Sequence, residues 1–215
     1  MRAVIWDLGG TLVDTYPDVD RALAGALSPA PGEELLHEVA LLTRRSSGEA
    51  IRTLAARHHV SEELLQDAYE RTKEVWEEHP PPVMDGAREL LEAVREAGGL
   101  NLVATHRHRE SASALLERLA LEVDDLVCAP DGFARKPSPQ MLRTLLARHD
   151  LAPRDCLAVG DRTADVEAAA AAGVPAQLLE TPGVPLDAAG ADRLRSLRAL
   201  IALFPAPGAQ GGAGH

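Results

Sequence analysis

The stretch from Met1 to Thr15, MRAVIWDLGGTLVDT, determines how the rest of the chain is interpreted. Four apolar residues, Ala3–Trp6, lead directly into Asp7, and two glycines and a threonine follow within four positions. An apolar run that ends at a carboxylate and a glycine-rich turn is typical of a buried strand that presents a reactive group. The second residue after Asp7 is Gly9, so this turn lacks the second acid that would form a carboxylate pair.

Similar apolar runs recur along the chain and alternate with segments of helical pattern. After the first run, the predicted strands are Leu100–Ala104, Leu126–Ala129, Leu157–Val159 and Ala176–Leu179. Apolar residues at helical spacing predict helices that contain Ala87 to Val94, Ala112 to Leu119, Met141 to Leu146 and Val166 to Ala170. Strands that alternate with helices predict an α/β fold, in which helices cover a parallel sheet.

Capping residues mark several of the predicted helix ends. Ser138 is placed to cap a helix whose first residue is Pro139, and Gly173 is placed to end another helix. Ser61, which two acidic residues follow, predicts the start of a further helix.

Residues 15–81 break the alternation, because they contain helical patterns and no convincing strand. The proline triplet at residues 80–82 cannot continue a helix and closes this block. We therefore predict an α/β core formed by residues 1–14 and 82–204, and a helical cap at 15–81 that acts as a lid. The Pro/Gly/Ala-rich segment 205–215 is predicted to be a disordered tail.

Composition and charge exclude several classes of function. With 215 residues, 46% of them hydrophobic, the chain can bury a substantial core. A formal net charge of −11 argues against nucleic acid or an anionic membrane as a partner, and no run of about 18 apolar residues predicts a membrane span. A strand that begins at Arg2 leaves no room for a signal peptide, and Cys128 and Cys156 suit buried free thiols. These features predict a cytoplasmic protein.

Polar residues follow the predicted strands at the edge where α/β proteins bind ligands. In an open parallel sheet, ligands lie outside the carboxyl ends of the strands. The polar residues found there are Asp7, Thr105, Lys136, Asp161 and Asp165. Each one alone is explained by a turn, a helix cap or a solvated loop charge, but together they predict a site.

These residue types suit phosphate chemistry. Asp7, Asp161 and Asp165 offer the oxygen ligands that Mg²⁺ prefers, while Thr105 and Lys136 supply a hydroxyl and a positive charge for phosphate oxygens. Mg²⁺ and Lys136 would offset the repulsion between a carboxylate and a phosphate. Asp7 can then attack phosphorus and form an aspartyl-phosphate, a known covalent route for aspartate.

Four segments resemble the four motifs of the haloacid dehalogenase superfamily of phosphotransferases. They are IWDLGGTLVDT, LVATHR, KPSP and GDRTADVEAAAAAG, which follow the order of the family between Arg2 and Phe204. The helical block after the first motif resembles the smaller cap domain of the subgroup that includes phosphoglycolate phosphatase and β-phosphoglucomutase. The resemblance implies a Rossmann-like core with an inserted helical cap, and an Mg²⁺-dependent hydrolase of a small phosphomonoester.

The resemblance also implies a set of metal ligands. Asp7 is expected to be both the nucleophile and a ligand, and Gly9 is expected to ligate through its backbone carbonyl. Asp161 is expected to be the second carboxylate on Mg²⁺, and Asp165 an outer or water-mediated ligand.

Gly9 is the position at which the chain departs from the family. The usual residue there is an aspartate, which serves as general acid for the leaving alcohol and then as general base for the attacking water. General acid–base help is worth roughly 10²–10⁴ in rate. We therefore predict a phosphatase that is slow, or one that favours activated phosphates such as aryl and acyl phosphates.

The substrate phosphate is expected to contact Thr105, His106 and Lys136, of which Thr105 and Lys136 resemble catalytic residues of the family. His106 has two interpretations: it replaces the missing base, or it only orients a neighbour, and we favour the second. His108 and the cap residue Glu49 are weaker candidates for a substitute base.

Two other functions remain open at this point. One is a phosphonate or phosphoryl-transfer specialist that needs no acid at position 9, and the other is a non-catalytic phosphate-sensing or partner-binding protein. In the cap, Arg44 and Arg45 are candidates to meet an anionic substrate. The expected partner is a small phosphorylated metabolite, and the expected assembly is a monomer or a homodimer.

Overall fold

The structure, a computed structural model, describes residues 1–186 and 190–205 and contains a six-stranded sheet. Its strands are β1 (Ala3–Trp6), β2 (Leu100–Thr105), β3 (Asp125–Cys128), β4 (Cys156–Gly160), β5 (Ala176–Leu179) and β6 (Asp192–Leu194). All neighbouring strands are parallel, and their order across the sheet is β3-β2-β1-β4-β5-β6. The predicted α/β fold is confirmed.

Helices follow β1 as one block and alternate with the later strands. They are α1 (Tyr16–Leu27), α2 (Glu33–Thr43), α3 (Ser47–His58), α4 (Glu62–Glu78), α5 (Ala87–Glu96), α6 (Arg109–Arg118), α7 (Gln140–Arg148) and α8 (Thr163–Ala172). Short 3₁₀ segments occupy Ala129–Asp131, Pro153–Asp155 and Leu197–Leu203. Within the described ranges, no helix combines the length and the apolar character needed to cross a membrane.

The central strand β1 shows how a four-residue segment fills both faces of the sheet. Side chains alternate along a strand, so Val4 and Trp6 pack on the side of α5, α6 and the last 3₁₀ segment. Ala3 and Ile5 pack on the opposite side, against α7 and α8. The buried Trp6 indole N–H donates to Asn101 Oδ1 at 3.1 Å, and the Asn101 Nδ2–H donates to the Leu91 carbonyl at 2.9 Å.

The position of β1 brings the candidate residues together. It lies between β2 and β4, with Trp6 opposite Val159 of β4. The Asp7 backbone N–H continues this ladder and donates to the Val159 carbonyl at 2.9 Å. The polar residues that follow β1, β2 and β4 therefore meet at one edge of the sheet.

Five of the six strands agree with the predicted ones to within one residue at each end. The sixth, β6, was not predicted from the sequence. Asp192 and Arg193 are exposed and only Leu194 is buried, so this edge strand carries no apolar run.

Two of the three predicted helix ends are confirmed, and one is wrong. Ser61 caps α4, accepting a backbone N–H at 3.2 Å, and Gly173 ends α8 in the left-handed region. The prediction for α7 is wrong by one position: the helix begins at Gln140, and Pro139 lies at the N-cap. The Ser138 hydroxyl still accepts the Gln140 N–H, at 3.4 Å.

The four helices between β1 and α5 pack around an apolar core of their own. Its buried members include Val19, Leu23, Val39, Leu54, Leu65 and Trp76. The chain enters and leaves this block side by side, because Val13 and Val83 form an antiparallel bridge. The inserted helical cap is confirmed as part of the fold. Its boundaries at residues 15 and 81 stay a prediction, and of the predicted tail, residues 206–215 lie outside the described part.

Candidate active site

Three aspartates meet at the carboxyl edge of the sheet. Asp7 follows β1, Asp161 follows β4, and Asp165 lies in the first turn of α8. One oxygen from each carboxylate lies within 4.8 Å of those of the other two, and all three residues are buried or nearly so. Gly160 makes room for this arrangement, because a Cβ at that position would overlap the Asp165 carboxylate.

Lys136 joins two of these carboxylates. Its ammonium donates to Asp7 Oδ1 and to Asp165 Oδ1, each at 2.6 Å, and the lysine side chain is 4% exposed. Burial alone would lower the pKa of Lys136, but the charges of Asp165 and Asp7 outweigh it and raise that pKa. Burial also raises the pKa of Asp7, whereas the Lys136 charge and hydrogen bond hold the pKa of Asp165 below its usual value despite burial.

The Asp161 carboxylate is held by two hydroxyl groups. Thr11 Oγ1 donates to Oδ1 at 2.8 Å, and the Tyr16 phenol donates to Oδ2 at 2.5 Å. Burial raises the pKa of Asp161 to about 7, with Arg162 acting in the opposite direction and Asp7 adding to the rise.

Gly9 lies beside this cluster, on the wall of a cavity that also contains Asp7 and Thr15. A Cβ at position 9 would lie 3.1 Å from Thr15 Oγ1, so a side chain there requires Thr15 to move by a few tenths of an ångström. Gly9 thus supplies a backbone carbonyl and no acidic group.

Thr105 and His106 stand at the end of β2, on the same cavity. Thr105 is buried, and its hydroxyl accepts the Arg107 N–H at 3.2 Å. His106 Nε2 accepts the Lys136 backbone N–H at 2.8 Å. Burial, reinforced by the charges of Lys136 and Arg135, lowers the pKa of His106 to about 3. An imidazole that is neutral and already bonded favours the orienting role over that of a substitute base.

The residues present fit a magnesium ion. The donor set consists of carboxylate oxygens, which are the ligands this cation prefers. Asp161 accepts one hydrogen bond at each oxygen, so each oxygen retains a lone pair that can coordinate.

The cavity above the cluster has a volume of about 750 Å³ and lies between the core and the cap. Core residues on its wall include Asp7, Thr105, His106, Arg107, Lys136 and Arg162, and cap residues include Tyr16, Arg45, Tyr69, Lys73 and Trp76. Sequence reasoning missed five residues of this wall: Tyr16, Tyr69, Trp76, Arg107 and Arg162. The first three belong to the cap and reach the cavity only because the cap packs on the core, whereas the two arginines follow β2 and β4 and could have been found from their places in the motifs LVATHR and GDRTAD.

The other candidates from the sequence have different positions. Arg45 and His108 lie on the cavity wall. Arg44 does not face a substrate, because it is buried in the cap in an ion pair with Asp20. Glu49 lies in the first turn of α3 and is not among the residues that line the cavity.

Residues 1–173 match the family model described as haloacid dehalogenase-like hydrolase. The chain belongs to this family, which confirms the resemblance carried by the four motifs, and it is a hydrolase that acts on phosphoric ester bonds.

Two relatives are similar to the chain in sequence, and one solved structure is similar to it in fold. A phosphoglycolate phosphatase from Nitrosospira multiformis is 33% identical over 186 residues, covering 80% of both chains. An N-acetylmuramic acid 6-phosphate phosphatase from Pseudomonas aeruginosa is 30% identical, covering 80% of this chain and 79% of its own length. The crystal structure of CbbY from Rhodobacter sphaeroides with phosphate shares the fold, with a TM-score of 0.71 at 23% identity over 93% of this chain and 96% of that one.

Proposed function

We propose that the protein is an Mg²⁺-dependent hydrolase of a small phosphomonoester and that it acts through an aspartyl-phosphate on Asp7. The observation that carries this proposal is the Lys136 ammonium, which contacts Asp7 and Asp165 at 2.6 Å beside a third buried carboxylate. A buried lysine between carboxylates at a cavity wall is suited to hold a phosphate next to a nucleophile.

In the proposed reaction, an Asp7 carboxylate oxygen forms a bond to phosphorus while the bond from phosphorus to the alcohol oxygen breaks. The alcohol leaves with the electron pair and takes up a proton from water. A second water later attacks the phosphorus of the aspartyl-phosphate and gives its proton to solvent, the bond from phosphorus to the Asp7 oxygen breaks, and phosphate leaves. Lys136 and Thr105 contact the phosphate oxygens as charge develops on them. Asp7, Asp161, Asp165 and the Gly9 carbonyl would hold Mg²⁺, which supplies charge neutralisation at the phosphate when bound.

Gly9 sets the rate and the preferred leaving group in this proposal. Loss of a general acid and base corresponds to roughly 10²–10⁴ in rate, or about 3–5 kcal/mol of barrier. The loss matters least when the leaving oxygen needs no proton, as in aryl and acyl phosphates. His106, whose pKa is lowered to about 3, is poorly suited to take over the role near neutral pH.

The cavity supports a small anionic metabolite as the substrate. Arg45 of the cap and Arg107 and Arg135 of the core line it together with Lys136, in a chain whose net charge is −11. Local positive charge of this kind draws in a phosphorylated substrate that the molecule as a whole would repel. We expect the reaction to take place in the cytoplasm, where Cys128 and Cys156 would stay reduced, and the enzyme to be a monomer or a homodimer.

Trapping of Asp7 tests the proposal directly. The full chain would be incubated with Mg²⁺ and beryllium fluoride, a phosphate mimic that binds aspartate, and the bound fluoride measured by ¹⁹F NMR. The proposal expects an Mg²⁺-dependent adduct in the wild type, none in Asp7→Asn, and Mg²⁺-dependent release of phosphate from p-nitrophenyl phosphate. Adduct formation without any turnover on aryl, acyl or alkyl phosphates would instead favour a phosphate-sensing protein, and no adduct would contradict Asp7 as the nucleophile.

A further inference from the structure

Tyr16 is a cap residue that reaches the carboxylates of the core. It is the first residue of α1 and is 4% exposed. Its phenol donates to Asp161 Oδ2 at 2.5 Å and accepts the Nε–H of Arg162 at 3.0 Å. The cap therefore contacts a proposed metal ligand directly, rather than only covering the cavity.

The Tyr16 phenol supplies the second of two hydrogen bonds to the Asp161 carboxylate. Thr11, from the loop after β1, donates to Oδ1 at 2.8 Å, while Tyr16 donates to Oδ2. A carboxylate that accepts one hydrogen bond at each oxygen cannot rotate without breaking both. Because Asp161 is fully buried, water cannot replace either hydroxyl as a hydrogen-bond donor. The two hydroxyls therefore fix the orientation of the carboxylate.

Gly10 makes the close approach of Tyr16 possible. A Cβ at position 10 would overlap both the Tyr16 ring and the Asp161 carboxylate. The residue also has a φ of +89°, which glycine adopts without strain. The contact between phenol and carboxylate is thus accommodated by the backbone of the same loop that supplies Asp7.

A buried ion pair in the cap holds the ring itself. The Arg44 guanidinium lies 4.0 Å from the centre of the Tyr16 ring and forms an ion pair with Asp20. Thr43 Oγ1 accepts from Arg44 at 2.8 Å and donates to Asp20 Oδ1 at 2.8 Å. Arg44 Nε is buried without a hydrogen-bond partner among the described residues. The stack on Tyr16, the ion pair with Asp20 and the hydrogen bond to Thr43 together hold this guanidinium in place.

We propose that Tyr16 is a positioning residue for Asp161 and that the Arg44–Asp20 pair, by holding Tyr16, lets the packing of the cap set the Mg²⁺ affinity of the site. This inference rests on the cation site of the proposed function. Groups that orient a metal ligand affect affinity because the ligand otherwise loses its alignment, and their removal weakens binding by roughly 10–100-fold.

Calorimetric titration of the full chain with Mg²⁺ alone tests this role without relying on turnover. We expect Tyr16→Phe to weaken Mg²⁺ binding by about 10-fold. The matched control is Tyr69→Phe, which removes a hydroxyl from the other of the two tyrosines. Tyr69 also lies on the cavity wall but contacts Lys73 rather than a carboxylate of the cluster, so its substitution is expected to leave the Mg²⁺ affinity unchanged.

A second variant covers the case in which Tyr16→Phe disturbs folding. Arg44→Lys retains a cation for Asp20 and removes the planar group that stacks on the ring. We expect Arg44→Lys to weaken Mg²⁺ binding a few-fold, as Tyr16→Phe does but to a smaller extent. In both variants, a tenfold higher Mg²⁺ concentration should restore kcat toward the wild-type value, which it would not do if the substitution merely loosened the fold.

The outcomes separate this inference from the proposed function. If the wild type binds Mg²⁺ and both variants bind it with the same affinity, the positioning role of Tyr16 is wrong and the proposed hydrolase is unaffected. If the wild type fails to bind Mg²⁺ at all, the cation site of the proposed function fails, and this inference is overturned with it.

Discussion

Two buried ion-pair clusters in this protein differ in how their charges balance. At the sheet edge, Asp7 and Asp165 share the single ammonium of Lys136 and lie close to a third carboxylate, Asp161. In the cap, Asp20 and Arg44 form a one-to-one pair, to which Thr43 adds its hydroxyl.

The difference separates a site from a structural element. The cap pair sets one charge against one and is not on the cavity wall, whereas the cluster at the sheet edge sets three carboxylates against Lys136 and Arg162 and lies on that wall. A buried excess of negative charge is unfavourable unless a cation joins it or the groups take up protons. The first cluster is therefore the candidate for chemistry, whereas the second contributes stability and the proposed hold on Tyr16.

The largest effect is expected at the nucleophile. Asp7→Asn should lower Mg²⁺-dependent phosphate release from p-nitrophenyl phosphate by at least about 10³-fold, because an amide oxygen cannot take the place of the attacking carboxylate. The matched control is Asp14→Asn, an acid seven positions later that does not line the cavity. Equal loss in both variants would show a disturbed fold instead of a lost nucleophile.

Lys136 should affect both activity and stability. Lys136→Met leaves Asp7 and Asp165 without their shared cation, so we expect roughly a 10²–10³-fold loss in kcat and a free energy of unfolding lower by about 3–5 kcal/mol. Lys73→Met is the control for stability, because Lys73, the only other lysine, forms a partly exposed pair with Glu70. This variant should change the free energy of unfolding by less than about 1 kcal/mol. Urea unfolding of both variants checks this contrast.

The cap pair should affect stability through its charges. Arg44→Met leaves the Asp20 carboxylate buried and unpaired, which should lower the free energy of unfolding by about 3 kcal/mol. The double variant Asp20→Leu/Arg44→Met should regain most of that loss, because no uncompensated charge remains. Arg57→Met, which removes half of an exposed pair with Glu38, serves as the control and should change stability little. A double variant as unstable as Arg44→Met would show that the unpaired Asp20 carboxylate is not the cause of the loss.

Near neutral pH the smallest effect is expected at His106, and this effect grows as the pH falls. Its pKa is about 3 in the folded protein, so below pH ~6.5 the unfolded chain binds a proton that the folded chain does not. Stability should therefore fall as the pH decreases from about 6.5 toward 3, and His106→Asn should reduce that fall. If His106 is not a base in the reaction, the pH profile of kcat near pH 6.5 should be the same in the wild type and in His106→Asn. An inflection there that His106→Asn removes would revive His106 as a substitute base.

Much of the site could be predicted from the sequence, because it is built from residues at the ends of apolar strands. Asp7, Thr105 and Asp161 each follow a short apolar run, and a parallel sheet brings such positions to one edge. The absence of an acid at Gly9 is equally visible in the sequence, since it depends on one position in a local pattern.

The remaining features depend on packing that no local pattern records. Tyr16 resembles the apolar start of a helix, and its contact with Asp161 arises only because the cap folds back onto the core. Arg44 resembles a solvated loop residue but is buried, because Asp20 lies one helix away to receive it. The edge strand β6 has two exposed charged residues in three positions, so pairing with β5 alone defines it.

We infer that the site has a working nucleophile and cation site but no proton donor at Gly9. The most direct test measures phosphate release from aryl, acyl and alkyl phosphates. It compares the wild type with Gly9→Asp and with Gly9→Asn, whose side chain has the shape of aspartate but no acid. We predict that the wild type hydrolyses aryl and acyl phosphates and that Gly9→Asp alone speeds alkyl ester hydrolysis by about 10²–10⁴-fold. Equal rates for Gly9→Asp and Gly9→Asn on alkyl esters, in proteins that still bind Mg²⁺, would contradict it.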